Sequence, residues 1–199
     1  TEIYTLSLYD ALPIYELISR ARIPSEGDAS ALDALPADPA VRLAFLLTGE
    51  KALSEVLKPL ALPKAMVRAA ERYGERRQIS ADADIVAFKS ALADLGRPQF
   101  EKLLALQEAL AQTAADQRRA AANRACYARI VQTCQPIARS ELALSAADLK
   151  AMGFGGAAIG SSLTLLLHHV YRRPAANTPE ALRAVLAEAI GMETEKDSE

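Results

Sequence analysis

The sequence predicts an all-α fold, an array of about eight to nine short and medium helices with no sheet. Hydrophobic residues make up 51% of the chain but aromatic residues only 5%, because alanine and leucine dominate. Helix-forming residues are thus abundant, and the residues that favour strands are scarce. With 24% charged residues the composition is that of a globular chain. Its 199 residues suffice for one hydrophobic core or for two small helical units.

The first 37 residues differ from the rest of the chain. Residues 1–14 alternate apolar and polar side chains up to Pro13. They resemble the translated scar that a sequencing adaptor leaves at the edge of an assembled fragment, and we expect them not to be native. The alternative is a genuine short helix or an extended arm. Residues 15–37 predict part of a helix followed by a loop, because 24–37 are rich in Pro, Ser, Gly, Asp and Ala.

The helix boundaries follow from capping residues, prolines and glycines. Asp38 before Pro39 predicts the start of a nearly all-apolar, buried helix that stops at Gly49. Ser80 is predicted to cap the helix that closes at Gly96, and Ser145, with Asp148 three residues later, predicts a capping box. Such signals predict short helices over 38–135 and over 136–191, and the charged end over 192–199 is expected to be disordered. The other predicted helices run over about 53–58, 62–74, 80–95, 98–110, 115–135, 157–170 and 177–189.

No catalytic or metal-binding residues are predicted. Asp82 and Asp84 have the D-x-D spacing of a two-metal site, but no glycine-rich strand precedes them. Acidic residues at a helix N-terminus, which complement the helix dipole, are the simpler interpretation. His168 and His169 are adjacent, so on a helix they point about 100° apart and do not suit one metal ion. They are expected at a partly exposed helix end.

The two cysteines favour a reducing compartment, and we expect a cytoplasmic protein. Cys126 and Cys134 lie eight residues apart, so on one helix they are about 12 Å apart and too distant for a disulfide. They are expected to be small buried apolar residues. No apolar run approaches the length of a membrane span.

A glycine cluster over 153–160 joins two predicted helices. Glycines permit positive φ and leave backbone amides uncovered at a helix N-terminus, which suits a phosphate group. A tight helix corner without a ligand explains the same residues. Arginines recur over 68–77, over 118–129 and at 172–173, where phosphate binding and a solvated helix face are both consistent with the spacing. The net charge of −2 gives no overall indication of nucleic-acid binding.

The order of residues resembles one known family. Between Leu144 and Leu182 the chain contains, in order, LSAADLKAMGF, GG, IG, L, LL, V and NTPEAL. This series resembles the C-terminal signature of bacterial CCA-adding tRNA nucleotidyltransferases and the related poly(A) polymerases. Upstream, RLAFLL at 42–47 and LALPK at 60–64 resemble further segments of that family. The match departs from the family at Ala146 (usually Gly), at Ala157 (often Pro) and at 63–64 (commonly Ser-Asn).

The resemblance covers about residues 38–190 and implies a function. It implies that 15–37 include the remainder of a neck helix, and that a helical body over 38–135 and a helical tail over 136–191 hold the acceptor stem and T arm of a tRNA. The N-terminal catalytic head of the same enzyme, with Mg²⁺ and CTP or ATP, lies outside these residues, so no cofactor is expected here and the chain alone is expected to be inactive. The alternatives are a stand-alone helical interaction or scaffold domain and, less favoured, a helical DNA-binding protein. The residues implied to bind RNA phosphates are Lys150, Gly155, Gly156, Ala157, Ala158, Ile159, Arg172 and Arg173.

Overall fold

The computed structural model describes the backbone of residues 26–48, 53–58 and 62–196, and the side chains of 30–48, 55–58 and 62–189. Over these ranges it contains ten α-helices, two short 3₁₀ turns at Arg139–Glu141 and Pro174–Ala176, and no strand, which confirms the all-α prediction. The helices are α1 Glu26–Ala34, α2 Pro39–Leu46, α3 Leu53–Leu57, α4 Lys64–Arg76, α5 Ile85–Leu95, α6 Arg97–Ala109, α7 Ala114–Gln132, α8 Ala146–Ala151, α9 Ala157–Arg172 and α10 Pro179–Lys196.

Helix α2 begins where the sequence predicts. The Asp38 carboxylate accepts hydrogen bonds from the amides of Ala40 (2.9 Å) and Val41 (3.4 Å), and Pro39 is the first helical residue. Burial raises the pKa of Asp38, but the hydrogen bond from Lys102 and those from the two amides outweigh it and lower the pKa below its usual value. Asp38 therefore acts as an ionised cap that also binds the Lys102 ammonium.

Helix α8 confirms the predicted capping box. The Ser145 hydroxyl accepts from the Asp148 amide at 3.2 Å, and the Asp148 carboxylate accepts from the Ser145 amide at 2.8 Å. The hydrogen bonds from Ser145 lower the pKa of Asp148. Both partners are exposed, so the reciprocal bonds satisfy two amides of a short helix without needing a buried environment.

Three expectations about the elements differ from the structure. Helix α1 occupies much of the predicted 24–37 loop, because alanine, leucine and early acidic residues support a helix between prolines 24 and 36. Asp84, rather than Ser80, caps α5, accepting from the amides of Val86 (2.9 Å) and Ala87 (3.1 Å). Helix α10 continues to Lys196, whereas a disordered end was expected from 192. The predicted scar at 1–14 lies outside the described residues.

The chain divides into two compact units, and each combines separate stretches of sequence. Among the described residues, the first contains those up to Ile79 together with Arg97–Arg124, and the second contains Ser80–Gly96 together with those from Ala125 onward. The stretch from 80 to 96, which is α5 and the turn before it, thus belongs with the C-terminal helices. This division describes packing. The boundaries of the body (38–135) and the tail (136–191) stay predictions.

The first unit is built around α4 and α6. Helices α2 and α3 pack on α4, while α1, α2 and α4 contact α6. Apolar faces at helical spacing supply the core, because they remove large side chains from water. The largest buried apolar side chains of this unit are Phe45, Leu47, Leu57, Phe100, Leu103, Leu104 and Leu106.

A buried amide network also lies in the first unit. Asn123 is fully buried and Gln107 is 3% exposed. The Asn123 amide donates to the Ile79 carbonyl at 2.8 Å and to the Gln107 side-chain oxygen at 2.9 Å. The Gln107 amide in turn donates to the carbonyls of Arg77 (3.2 Å) and Ile79 (3.0 Å). These bonds satisfy carbonyls that follow the end of α4 and would otherwise be buried without partners.

The second unit is centred on α9, which packs on α5, α8 and α10. Leucines from the stretch before α8 and from α8, α9 and α10 form one cluster with Val170 and Tyr171. The most deeply buried of its residues are Leu144, Leu149, Leu166, Val170 and Leu182. Across the described part of the chain, no helix has the length and apolar character needed to cross a membrane.

Candidate nucleic-acid interface

The structure places the predicted phosphate-binding residues at two separate ends of α9. Gly155 and Gly156 precede the helix and Ala157 to Ile159 form its first turn, whereas Arg172 is its last residue and Arg173 follows it. The fifteen steps of about 1.5 Å from Ala157 to Arg172 put these ends about 22 Å apart. Lys150 lies in the last turn of α8, which packs on α9. The eight residues therefore do not form one site.

The corner between α8 and α9 depends on glycine at two positions. Gly153 has φ 95°, and the amides of Gly153 and Phe154 donate to the carbonyls of Lys150 and Leu149, both at 3.1 Å. This is the arrangement that closes a helix with a left-handed residue. Gly156 has φ 52° and ψ −130°, a conformation that side chains disfavour. Both positions are where the sequence predicted positive φ.

The N-terminus of α9 faces open space. No side chain caps it, and a Cβ built at Gly155 or Gly156 would meet no atom within 4 Å. The Ala158 amide donates to the Gly155 carbonyl at 3.1 Å. Residues 155–158 are exposed and Ile159 is half-buried. The helix start is thus accessible to an anion, as the sequence suggested, although the same geometry also forms a plain helix corner.

A buried lysine holds the other end of α9. Lys89 is 1% exposed, and its ammonium donates to the Tyr171 carbonyl at 2.9 Å and to the Gln135 side-chain oxygen at 2.7 Å. The ammonium also lies 5.6 Å from the centroid of the Tyr171 ring. Burial lowers the pKa of Lys89. A cation at a helix C-terminus complements the dipole, so Lys89 fixes the helix end that carries Arg172 and Arg173.

Tyr171 ties this helix end to the segment after α7. Its hydroxyl donates to the Ile137 carbonyl at 2.7 Å. Burial raises the pKa of Tyr171 to about 12, and the charges of Glu141 and Asp94 act in the same direction. The phenol therefore stays protonated and remains a hydrogen-bond donor at neutral pH. The exposed arginines 172 and 173 follow directly, so they extend from an anchored position.

An open groove runs along α9 between its two ends. Its volume is about 590 Å³, and it is lined by Ser161, Thr164, Leu165, His168 and Arg172. The spacing of these residues places them on one stripe of the helix. Arg139, from the turn that precedes α8, donates to the Thr164 hydroxyl at 2.7 Å. The lining of the groove therefore offers one guanidinium group, an imidazole and two hydroxyls, and the Arg139 guanidinium is hydrogen-bonded to one of these hydroxyls.

Arg139, Ser161, Thr164 and Leu165 were not predicted as site residues. For the three residues of α9, the available signal was their helical spacing together with the absence of Asp and Glu from that helix. Glu141 lies near Arg139 in the sequence, but its carboxylate accepts from the amides of Ile137 (2.6 Å) and Ala138 (2.9 Å). Arg139 itself is far in sequence from Thr164, and a single sequence does not show that they meet.

The other charged motifs have structural roles. Asp84 is the cap of α5, in line with the interpretation that favoured a helix N-terminus over a metal site. Arg124 forms a two-pronged ion pair with Glu108 at 2.7 and 2.8 Å, and Arg119 pairs with Asp116 at 2.9 Å. These contacts match the solvated-face interpretation of the second arginine cluster. The described residues contain no group of three or more His, Cys, Asp or Glu side chains that could hold a metal ion.

One expectation about the cysteines is wrong. Cys126 is buried in α7, as expected, but Cys134 is exposed. Cys134 follows the end of that helix and has φ 48°, a left-handed conformation that turns the chain. The cysteine therefore lies in the helix-ending turn outside the core. His168 and His169 are both half-buried near the end of α9, as the sequence predicted.

Comparisons with protein families, with curated proteins and with solved structures find no match to this chain.

Proposed function

We propose that this chain is the tRNA-holding C-terminal region of a cytoplasmic CCA-adding tRNA nucleotidyltransferase. The observation that carries the proposal is the ordered series from Leu144 to Leu182, which resembles the family signature over α8, the glycine corner, α9 and the start of α10. In this proposal the nucleotide-transferring head, with Mg²⁺ and CTP or ATP, belongs to another part of the enzyme. The related A-adding and poly(A) activities are variants of the same proposal.

The geometry of α9 supports binding to an RNA backbone. Exposed amides at one end and exposed arginines at the other lie about 22 Å apart, which spans several phosphates of a duplex. Helix α9 has no acidic residue, so its surface is locally cationic although the chain carries a net charge of −2. A stem bound through its backbone is recognised by shape rather than by sequence. That suits a region whose proposed task is to hold many different tRNAs.

A stand-alone interaction or scaffold domain is the second candidate. Met152 and Leu165 are 43% and 41% exposed, and both lie in the second unit close to α9. Exposed large apolar side chains are a feature of protein contact surfaces. This candidate predicts binding that depends on these side chains and hardly on salt.

Binding to an acceptor-stem and T-arm RNA minihelix tests the proposal. We expect dissociation constants of about 1 to 100 µM that weaken steeply with salt, because phosphate contacts release counterions. Replacing Arg172 and Arg173 by alanine removes two cations, so the slope of log affinity against log salt falls by roughly 1.4 to 1.8. Arg118→Ala is the matched control, because Arg118 and Arg172 are both exposed and each donates to a carbonyl four residues back in its own helix.

No binding at low salt would refute the proposal, and so would binding that is equally sensitive to Arg118→Ala. The gene sequence offers an independent test. A nucleotidyltransferase head with G-G-x-V-R-D and D-x-D motifs, encoded upstream of Tyr15, is the expected finding. An unrelated upstream sequence would favour the interaction-domain candidate.

A further inference from the structure

Two grooves of different character meet on α9. The first is the groove lined by Thr164, His168 and Arg172, which we call the cationic groove. The second has a volume of about 180 Å³ and lies where α9 faces Phe154 and α10. We call it the apolar groove, and its lining residues are Phe154, Ala158, Ser161, Ser162, Leu165, Leu186 and Ala189. Ser161 and Leu165 line both grooves, so the two form one continuous surface within the second unit.

The cationic groove is suited to a phosphate. The Arg139 guanidinium is oriented by its 2.7 Å hydrogen bond to Thr164 and remains exposed. Arg172 lies about two helical turns beyond Thr164 on α9, which is about 12 Å along the backbone. His168 lies between Thr164 and Arg172. Planar guanidinium groups bind phosphate oxygens through paired hydrogen bonds, and hydroxyls add donors of their own. A phosphate between the arginines would thus meet donors from several directions.

The apolar groove is suited to a single flat ring. Its volume lies below the range of about 300 to 1,000 Å³ that holds a drug-sized ligand. The half-buried Phe154 ring and the exposed Leu165 side chain give it an apolar wall, while Ser161 and Ser162 place hydroxyls beside that wall. Bases of single-stranded RNA are bound in such settings, by stacking on apolar or aromatic side chains next to a basic groove.

We infer that this joint surface binds one unpaired nucleotide of an RNA, with its base in the apolar groove and its phosphate in the cationic groove. The inference rests on the proposed RNA-binding function and adds a contact to a base, which backbone binding alone does not include. An acidic peptide would satisfy the arginines as well, but it would leave the flat apolar groove without a matching group. The close connection of the two grooves at Ser161 and Leu165 favours a ligand that joins a ring and a phosphate.

Binding of short single-stranded oligoadenylate, measured by fluorescence anisotropy at low salt, tests the inference. The same oligonucleotide without bases is the second probe. Leu165→Ser removes the apolar wall, and we expect it to weaken binding of oligoadenylate by at least about fivefold, the effect of losing one stacked base. It should leave binding of the abasic probe unchanged. Arg139→Ala should weaken binding of both probes, because it acts on the phosphate.

Two controls match these variants. Met152→Ser removes another large exposed apolar side chain, which lines neither groove, and Arg118→Ala removes an exposed cation of the first unit. Because Leu165 and Arg139 are exposed, both variants should keep the helical circular-dichroism spectrum of the parent chain.

Each other result would overturn the inference in a distinguishable way. If Arg139→Ala weakens both probes and Leu165→Ser weakens neither, the surface binds phosphate without a base. If the minihelix binds through Arg172 and Arg173 but oligoadenylate does not bind, the proposed function stands and the nucleotide site is wrong. If neither RNA binds and a polyglutamate peptide binds with a dependence on Arg139, both proposals fail in favour of a protein partner.

Discussion

Replacing Asn123 by alanine is the sharpest test of how the first unit is held together. The substitution removes the hydrogen bonds to the Ile79 carbonyl and to the Gln107 oxygen, in a site with no exposure to water. Each bond contributes about 1 kcal/mol to stability, and the Gln107 oxygen left buried without its donor costs a further 1 to 3 kcal/mol. The Ile79 carbonyl keeps its bond from Gln107 at 3.0 Å. We therefore expect a loss of about 3 to 5 kcal/mol.

A double-mutant cycle with Gln107→Ala isolates the contact between the two amides. The single variants each leave a partner unsatisfied, whereas the double variant removes both, so the effects should be less than additive by about 1 to 2 kcal/mol. Urea unfolding followed by circular dichroism gives the free energies. Amide hydrogen exchange of α4 and α6 shows whether the loss is located in the first unit. Gln117→Ala, an exposed change on the same helix as Asn123, is the control.

The coupling between the two amides should not depend on pH. Asn123 and Gln107 are neutral amides, so the coupling between them should be the same at pH 5 and pH 8. A loss from Asn123→Ala below about 0.5 kcal/mol, the usual range for surface substitutions, would refute the buried network. So would additive single effects, which would mean that the two side chains do not meet.

Three further predictions concern stability. Asp38→Ala should cost about 1 to 2 kcal/mol of stability at neutral pH. Because the pKa of Asp38 in the folded chain is lowered, thermal melts should show this cost vanishing as the pH falls through the lowered pKa. Burial raises the pKa of Tyr73 and Tyr171 to about 12, so their stabilising effect should be complete below pH 10 and should decline as the pH rises towards 12. In a pH titration, the tyrosinate absorbance of these two residues should appear at a higher pH than that of exposed tyrosines. Gly156→Ala should cost about 1 to 3 kcal/mol through backbone strain, while Gly155→Ala should not lower the melting temperature comparably.

The features that the sequence predicts best are those with local causes. A cap such as Asp38 or Ser145 acts on amides two or three residues away, so one stretch of sequence contains the whole interaction. Helix α1 was missed because its flanking prolines suggested a loop, while the helix-forming residues between them were given too little weight. Asp84 was recognised as an acid near a helix start, but the cap itself was assigned to Ser80.

The candidate site was predictable only where it is continuous in sequence. The glycine corner could be identified, because Gly153 and Gly156 must take conformations that other residues avoid. The contact between Arg139 and Thr164 joins residues 25 apart, and the one between Lys89 and Tyr171 joins residues 82 apart. Lys89 lies beside the buried Phe88 and resembles any lysine at the edge of an apolar helix face, so its burial depends on tertiary packing that the pattern does not contain.

The discontinuous second unit has a consequence for how the chain is made. Helix α5 leaves the ribosome before α9, on which it packs, and α9 follows it by roughly 60 residues, a delay of about 3 to 12 s at 5 to 20 residues per second. During that time Lys89 lacks the Tyr171 carbonyl, and Val86 lacks the leucine cluster of the second unit. The core of this unit is therefore completed only after α9 has been made.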